Sequence, residues 1–310
     1  MSGKGFEDWG RESGQLLNAN LEINFQEIAE YLPNELLPLL LQRDAQFTGL
    51  TADQQFFNEN GFIVKKNFIP HDLIDEYVRL RRRLNLGRDV FPDYWSHLDY
   101  RVFRDLFCSK EMNNLLLEVM GEPMGLHLLL THFRSLERGW HQDDYLNPHY
   151  LSGRYVGVWM AMDDVPESSG PFECIPGSHR WPILRRELVK QLVVEHARDD
   201  NTMEWAIVAE YHVNKAVERM IEQTRSSIFK FLGNKGDVLI WSGLTMHRGS
   251  LPQDPDIVRP SLIGHMSSLA RRMDFDRNIT RHEGGGYFWE FPQHRRTLSP
   301  VDTDRMFANR

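Results

Sequence analysis

Between residues 125 and 268 the chain reads as a succession of short runs: "GLHLLLTHFRS", "RYVGVWMAMDDV", "PFECIPGSH", "FKFLGNKGDVLIWSG" and "RPSLIGHMSS". Gly, Pro, Asn and Asp separate them. Such runs are too short for packed helices, and the turn residues between them suit strands. A series of short strands closes into a barrel or a sandwich. Helical patterns come first. Thr51 can N-cap "ADQQFFNEN", which Gly61 ends, and "FIVKKNF" then reads as a strand. "HDLIDEYVRLRRRLN" sets Leu73, Tyr77, Leu80 and Leu84 on one helical face. Ser109 caps "KEMNNLLLEVM", closed by Gly121. The expectation is a mainly β fold with helices on its outside.

Residues 184–226 interrupt the strands with two helical patterns, "LRRELVKQLVVEHARDD" and "MEWAIVAEYHVNKAVERMIEQ". An insert of this kind often caps a site. The expected organisation is an N-terminal helical extension over 1–50 and one domain over 51–310. Residues 1–20 read as loose, and Pro33 and Pro38 break the helical pattern of 21–45. "GGG" at 284–286 reads as a hinge before an aromatic tail, "YFWEF", that folds back over the core or joins a partner.

Charge narrows the function classes. With 36 basic against 44 acidic residues the chain carries −8, which argues against nucleic acid and anionic membranes as partners. Two cysteines, Cys108 and Cys174, suit a reducing compartment. No signal peptide is visible, and no run approaches the ~18 apolar residues of a membrane span. The expected setting is the cytoplasm and the expected partner a small-molecule substrate. Homo-oligomer formation stays open.

"WHQDDY" at 140–145 is either an acid-rich turn or part of a metal site. On a strand, His141 and Asp143 share one face and Asp144 takes the other. A third ligand is available in "GDVLIWSGLTMHRGS", where His247 follows a buried strand. Two histidines and one carboxylate match the facial triad of non-haem Fe(II) oxygenases, although zinc accepts the same donors. Arg259, in "RPSL", is read either as a surface residue or as a bidentate carboxylate grip. Beside such a triad the second reading prevails, because 2-oxoglutarate chelates iron with its keto-acid end and needs an anchor for its far carboxylate.

These stretches, together with "VGVWMAMDDVPESSGPFECIPGSHRWP" at 156–182 and "FNENGFIVKKNFIP" at 57–70, resemble the phytanoyl-CoA dioxygenase family of Fe(II)/2-oxoglutarate oxygenases. The resemblance spans roughly residues 51–270. It implies a double-stranded β-helix, a jelly-roll, cupin-like core with the iron at its open mouth. It implies Fe(II), 2-oxoglutarate and O2 as cofactor and co-substrates. By the same resemblance His141, Asp143 and His247 are the metal ligands and Arg259 anchors 2-oxoglutarate. Trp159, Ser261 and, on a looser match, Thr131 line the co-substrate pocket. Where halogenating relatives carry Gly or Ala, this chain has Asp143, which by the resemblance argues for hydroxylation of an unactivated C–H bond with release of succinate and CO2 and leaves desaturation or another oxidation open. Two positions depart from the family pattern. Gly249 stands where a small hydroxyl is usual, with Ser250 next to it. "RSLERG" replaces a Lys and Pro-Gly stretch, which leaves open whether Arg134 or Arg138 stands in for the lysine. The alternatives are a cupin-like metal-dependent isomerase and a non-catalytic jelly-roll binding module. No basic cluster demands a CoA thioester, so the expected substrate is a small or medium-sized metabolite.

Overall fold

The computed structural model describes residues 23–43, 45–85, 95–132, 134–135, 138–193, 204–254, 256–273 and 278–291. The chain enters through α1 (Phe25–Ile28) and β1 (Ala29–Glu30), then α2 (Ala52–Asn60), β2 (Phe62–Lys65) and α3 (His71–Asn85). Next come α4 (Ser96–Asp99), α5 (Arg101–Phe107) and α6 (Lys110–Met120). The strand-rich part holds β3 (Met124–His132), β4 (Arg138–His141), β5 (Tyr155–Ala161), β6 (Phe172–Cys174) and β7 (Ile183–Leu184). Two inserted helices, α7 (Arg186–Val193) and α8 (Glu204–Thr224), precede β8 (Phe229–Lys230), β9 (Val238–Ser242), β10 (His247–Gly249) and β11 (Ser261–Ser268). The described chain closes with β12 (Ile279–Arg281) and β13 (Tyr287–Trp289).

Local chemistry sets the helix ends. Thr51 accepts from the Gln54 amide and Gln54 answers to the Thr51 amide, a reciprocal capping box. Gly61, at φ 77°, ends the same helix in the left-handed region. At α6 Ser109 accepts from the Met112 amide, a one-way cap, and Gly121 at φ 72° ends the helix.

Two sheets form the core. The larger runs β12-β13-β3-β11-β5-β9-β2, and the smaller β4-β10-β6-β8. Side chains alternate across the larger sheet. Val156, Val158, Met160, Leu262, Val238 and Ile240 face the helices and pack with Tyr77, Phe103, Phe107 and Leu116. Trp159, Ala161, Leu239 and Trp241 face inward and meet Phe172 and Cys174 of the smaller sheet. This is the jelly-roll arrangement that the family resemblance implied, and it satisfies the barrel or sandwich expected from the strand pattern. The inserted helices pack on the outside of β4: the Trp140 amide donates to Asn214 of α8 at 2.6 Å, and Arg138 pairs with Glu210 at 3.0 Å. The insert buttresses a site-bearing strand.

Two expectations need correcting. The described part of the N-terminal extension is mostly not helical. It holds one four-residue helix and two single turns at Asn34–Leu36 and Leu39–Leu41, because Pro33 and Pro38 restart the chain each time. Nor does it pack as a separate unit, since Leu32, Leu37, Leu40 and Leu41 belong to the same buried cluster as the sheet. β1 pairs with β7, which ties the segment to the edge of the insert. Residues 1–20, read as loose, lie outside the described residues. The tail chooses one of its two options: β13 folds back and pairs in parallel with β3. Among the described residues no helix is long and apolar enough to cross a membrane.

Candidate metal and co-substrate site

Antiparallel pairing of β10 with β4 sets His247 directly opposite His141, with ring centroids 4.2 Å apart. Asp143 completes the group, and one ligand atom from each of the three lies within 4.8 Å of the others. All three side chains are buried. The route by which Asp143 arrives differs from the expected one. β4 ends at His141, and Asp143 adopts helical angles (φ −71°, ψ −21°) at the start of a single turn, Asp144–Leu146. A turn, rather than strand alternation, brings the carboxylate beside the imidazole. Gln142 fixes that turn from the other side, donating to the Leu244 carbonyl at 2.7 Å and accepting from the Leu184 amide at 2.9 Å.

Hydrogen bonding fixes which nitrogens are available. His141 Nδ1 lies 2.7 Å from the Gly139 carbonyl, and His247 Nδ1 lies 2.9 Å from the Thr245 carbonyl. A carbonyl only accepts, so each Nδ1 carries the proton and each Nε2 presents a lone pair. Those two Nε2 atoms stand 3.6 Å from the two Asp143 oxygens. Lone pairs therefore face carboxylate oxygens, and His141 Nε2 is buried with no hydrogen-bond partner. A divalent cation resolves that arrangement, so the donor set fits a metal. Burial pushes the His247 imidazole down to about 3. Burial would raise the Asp143 carboxyl, but the facing His247 and His141 outweigh it and hold the group well below the usual carboxylate range.

Arg259 sits just ahead of β11 and is 4% exposed. Its Nη1 donates to the Gly170 carbonyl at 2.8 Å, its guanidinium lies 5.4 Å from the Trp159 ring centre, and its Nε has no partner. Among the described residues no carboxylate neutralises it, and burial lowers its pKa to about 10. A buried cation without a counter-ion is costly unless an anion arrives. Ser261 lies on the inward side of β11, and its buried hydroxyl is also unpartnered. Trp159, Ser261 and Arg259 thus fit the distal carboxylate of 2-oxoglutarate.

Thr131 does not join them. It pairs with Leu262, so it shares the helix-facing side of the sheet, and Arg81 of α3 donates to its carbonyl at 3.5 Å. Strand alternation excludes it from the pocket. Of the other residues, Asp144 turns away and accepts from the Gly153 amide at 2.9 Å. His149 is an exposed partner of Glu187 at 4.0 Å. Arg134 pairs with Asp256 at 3.1 Å and Arg138 with Glu210 at 3.0 Å. The Ser250 hydroxyl donates to the Pro171 carbonyl.

Two residues of the site were not read from the sequence. Trp241 Nε1 donates to Asp143 Oδ2 at 3.1 Å. Its ring lies over Gly157, where any Cβ would strike it. His265 is the second: it lies on β11 with Ser261 and Ile263 at strand spacing, and its ring packs on Tyr155 and Trp241. Inward alternation from Ser261 was the signal that could have found it.

Fold and site together define a double-stranded β-helix with a two-histidine, one-carboxylate cluster at its mouth. The phytanoyl-CoA dioxygenase (PhyH) family profile matches residues 57–251, and the chain belongs to that family. It is 28% identical over 90 residues to a probable alpha-ketoglutarate-dependent hypophosphite dioxygenase of Stutzerimonas stutzeri. That match spans 28% of this chain and 31% of the relative. Among solved structures, iron-bound EctD from S. alaskensis superimposes with a TM-score of 0.56 at 16% identity, covering 82% of this chain and 89% of EctD. The epimerase SnoN, solved with Fe3+, alpha ketoglutarate and nogalamycin RO, gives 0.54 at 15% identity, covering 69% and 82%. At such identities the likeness establishes the shared fold.

Proposed function

We propose that this protein is an Fe(II)- and 2-oxoglutarate-dependent dioxygenase that hydroxylates a C–H bond of a small or medium-sized metabolite. The observation that carries the reading is the pair of buried, uncompensated groups: three ligands with inward lone pairs, and Arg259 with no counter-ion among the described residues. His141, Asp143 and His247 would hold the iron on one face and leave the opposite face for co-substrate, oxygen and substrate. Arg259, with Ser261, would take the distal carboxylate of 2-oxoglutarate, and Trp159 would wall that end of the pocket. Bound iron with 2-oxoglutarate supplies an oxidant by coupling co-substrate decarboxylation to oxidation of a second molecule. The chain itself orients both molecules and excludes water with the aromatic wall of Trp159, Phe172 and Trp241.

A cupin-like isomerase that uses no 2-oxoglutarate would leave Arg259 without a role, and a binding module would need neither group. The test is aerobic succinate formation dependent on both Fe(II) and 2-oxoglutarate, followed by product mass with 18O2. One labelled oxygen in the product is expected. A product of unchanged mass would replace hydroxylation with another outcome, and no succinate under any condition would remove the oxygenase reading.

A further inference from the structure

Resting on that reading, the structure assigns His265 as the specificity-determining contact for the oxidised substrate, and a small polar metabolite as the substrate class. β11 carries Ser261, Ile263, His265 and Ser267 inward at strand spacing. They climb from the Arg259 end past the metal cluster. At the lower end, Ile263 pairs with Trp159, the ring beneath Arg259. One inward step further, His265 pairs with Gly157, the glycine under the Trp241 ring. Since Trp241 holds Asp143, His265 stands level with the metal ligands. One step further, Ser267 pairs with Tyr155.

His265 is 5% exposed, packs on Tyr155 with ring centroids 5.3 Å apart and planes tilted by 32°, and meets the Trp241 ring edge-on at 6.0 Å. Its Nδ1 is buried and makes no hydrogen bond. Burial holds the ring at a pKa of about 4, so at ordinary pH it is neutral, with one donor and one acceptor nitrogen. A ring that only stacked would be served by Phe, with no nitrogen left unpaired. A buried imidazole without a partner is an incomplete contact.

Beyond it the wall stays polar. Ser267 Oγ lies 3.3 Å from His127 Nδ1, and Arg272 Nη1 lies 3.4 Å from His127 Nε2, Asn147 Oδ1 and Ser267 Oγ. His127, Asn147, Ser267 and Arg272 are all buried. A fatty acyl chain placed there would leave these groups facing hydrocarbon. A hydroxyl, amine or carboxylate next to the oxidised carbon would complete His265.

The test uses His265→Phe, which keeps the stacking and removes the nitrogens, with His265→Asn as the rescue. The probes are two- to six-carbon hydroxy, amino and keto acids, with palmitoyl-CoA as the apolar rival. Binding is read as the rise in melting temperature of anaerobic, Co(II)- and 2-oxoglutarate-loaded protein, and turnover as stimulated succinate formation. At least one polar probe should bind wild type. Its affinity should fall about tenfold in His265→Phe and recover in part in His265→Asn, while the KM for 2-oxoglutarate stays within twofold. Silence of the whole polar panel, or palmitoyl-CoA binding that His265→Phe retains, overturns the proposal. So does a shift in the 2-oxoglutarate KM alone, which would place His265 on the co-substrate. The binding arm reads His265 even if succinate never forms, so failure of the oxygenase reading is seen separately.

Discussion

Trp241 Nε1 donates to Asp143 Oδ2 at 3.1 Å, with both side chains buried. The bond engages Oδ2, which stands 3.6 Å from His247 Nε2, and so fixes the carboxylate with Oδ1 3.6 Å from His141 Nε2. Groups that orient a ligand in this way typically account for about 10–100-fold in metal affinity. Trp241→Phe keeps the aromatic packing against Phe172 and His247 and removes only the donor. Its Fe(II) affinity, titrated anaerobically, should fall by roughly that factor. Unchanged affinity would mean that packing alone positions Asp143.

The two neighbouring aspartates should separate cleanly. Asp143→Ala removes a proposed metal ligand, so metal binding and succinate formation should both be lost while the chain still folds. Asp144→Ala leaves the buried Gly153 amide without an acceptor, which costs about 1–3 kcal/mol. Its metal affinity should stay near wild type and its denaturation midpoint should drop. Equal loss of metal binding in both variants, with folding intact, would contradict the divergence of the two side chains at the turn.

Much of this was legible because it is local or periodic. Thr51, Gly61, Ser109 and Gly121 announce helix ends through side-chain chemistry, and the structure places the ends there. The pairing of His141 with His247 was anticipated from residue types. The geometry that unites them was not, because a backbone turn at Asp143 leaves no mark in strand alternation. Thr131 was misplaced for a related reason. Its face depends on its register against Leu262, a long-range property that a one-residue slip reverses. Trp241 and His265 carry no signal of a role in the sequence, because they meet only once β9 and β11 are set on either side of β5.

Arg259 and Thr131 give a matched pair of tests. Charge-assisted hydrogen bonds contribute about 1.5–3 kcal/mol, so Arg259→Ala should raise the KM for 2-oxoglutarate roughly 10–100-fold. Rate at saturating co-substrate should change far less. Ser261→Ala should give a smaller rise of the same kind. Thr131→Val should leave that KM unchanged, because its side chain lies on the helix-facing side of the sheet. A large effect from Thr131→Val would mean that the two faces of β3 communicate.

Acid sensitivity of the metal-free fold should follow in part from two buried histidines outside the ligand set, beside His127 and the ligand His247, whose pKa values burial lowers too. Burial drives His179 and His265 each down to about 4. In the unfolded chain the same rings titrate near ~6.5, so the unfolded state binds protons first as pH falls. Stability is therefore complete above about pH 6.5 and declines through the window down to about 4, where the folded rings also protonate. Each ring accounts for at most roughly 3 kcal/mol over that window. Denaturant unfolding at a series of pH values should show the decline. His265→Phe should reduce it, because one of the titrating rings is gone. A wild-type midpoint that holds steady across the window would show that water reaches these rings and that their neutral burial is wrong.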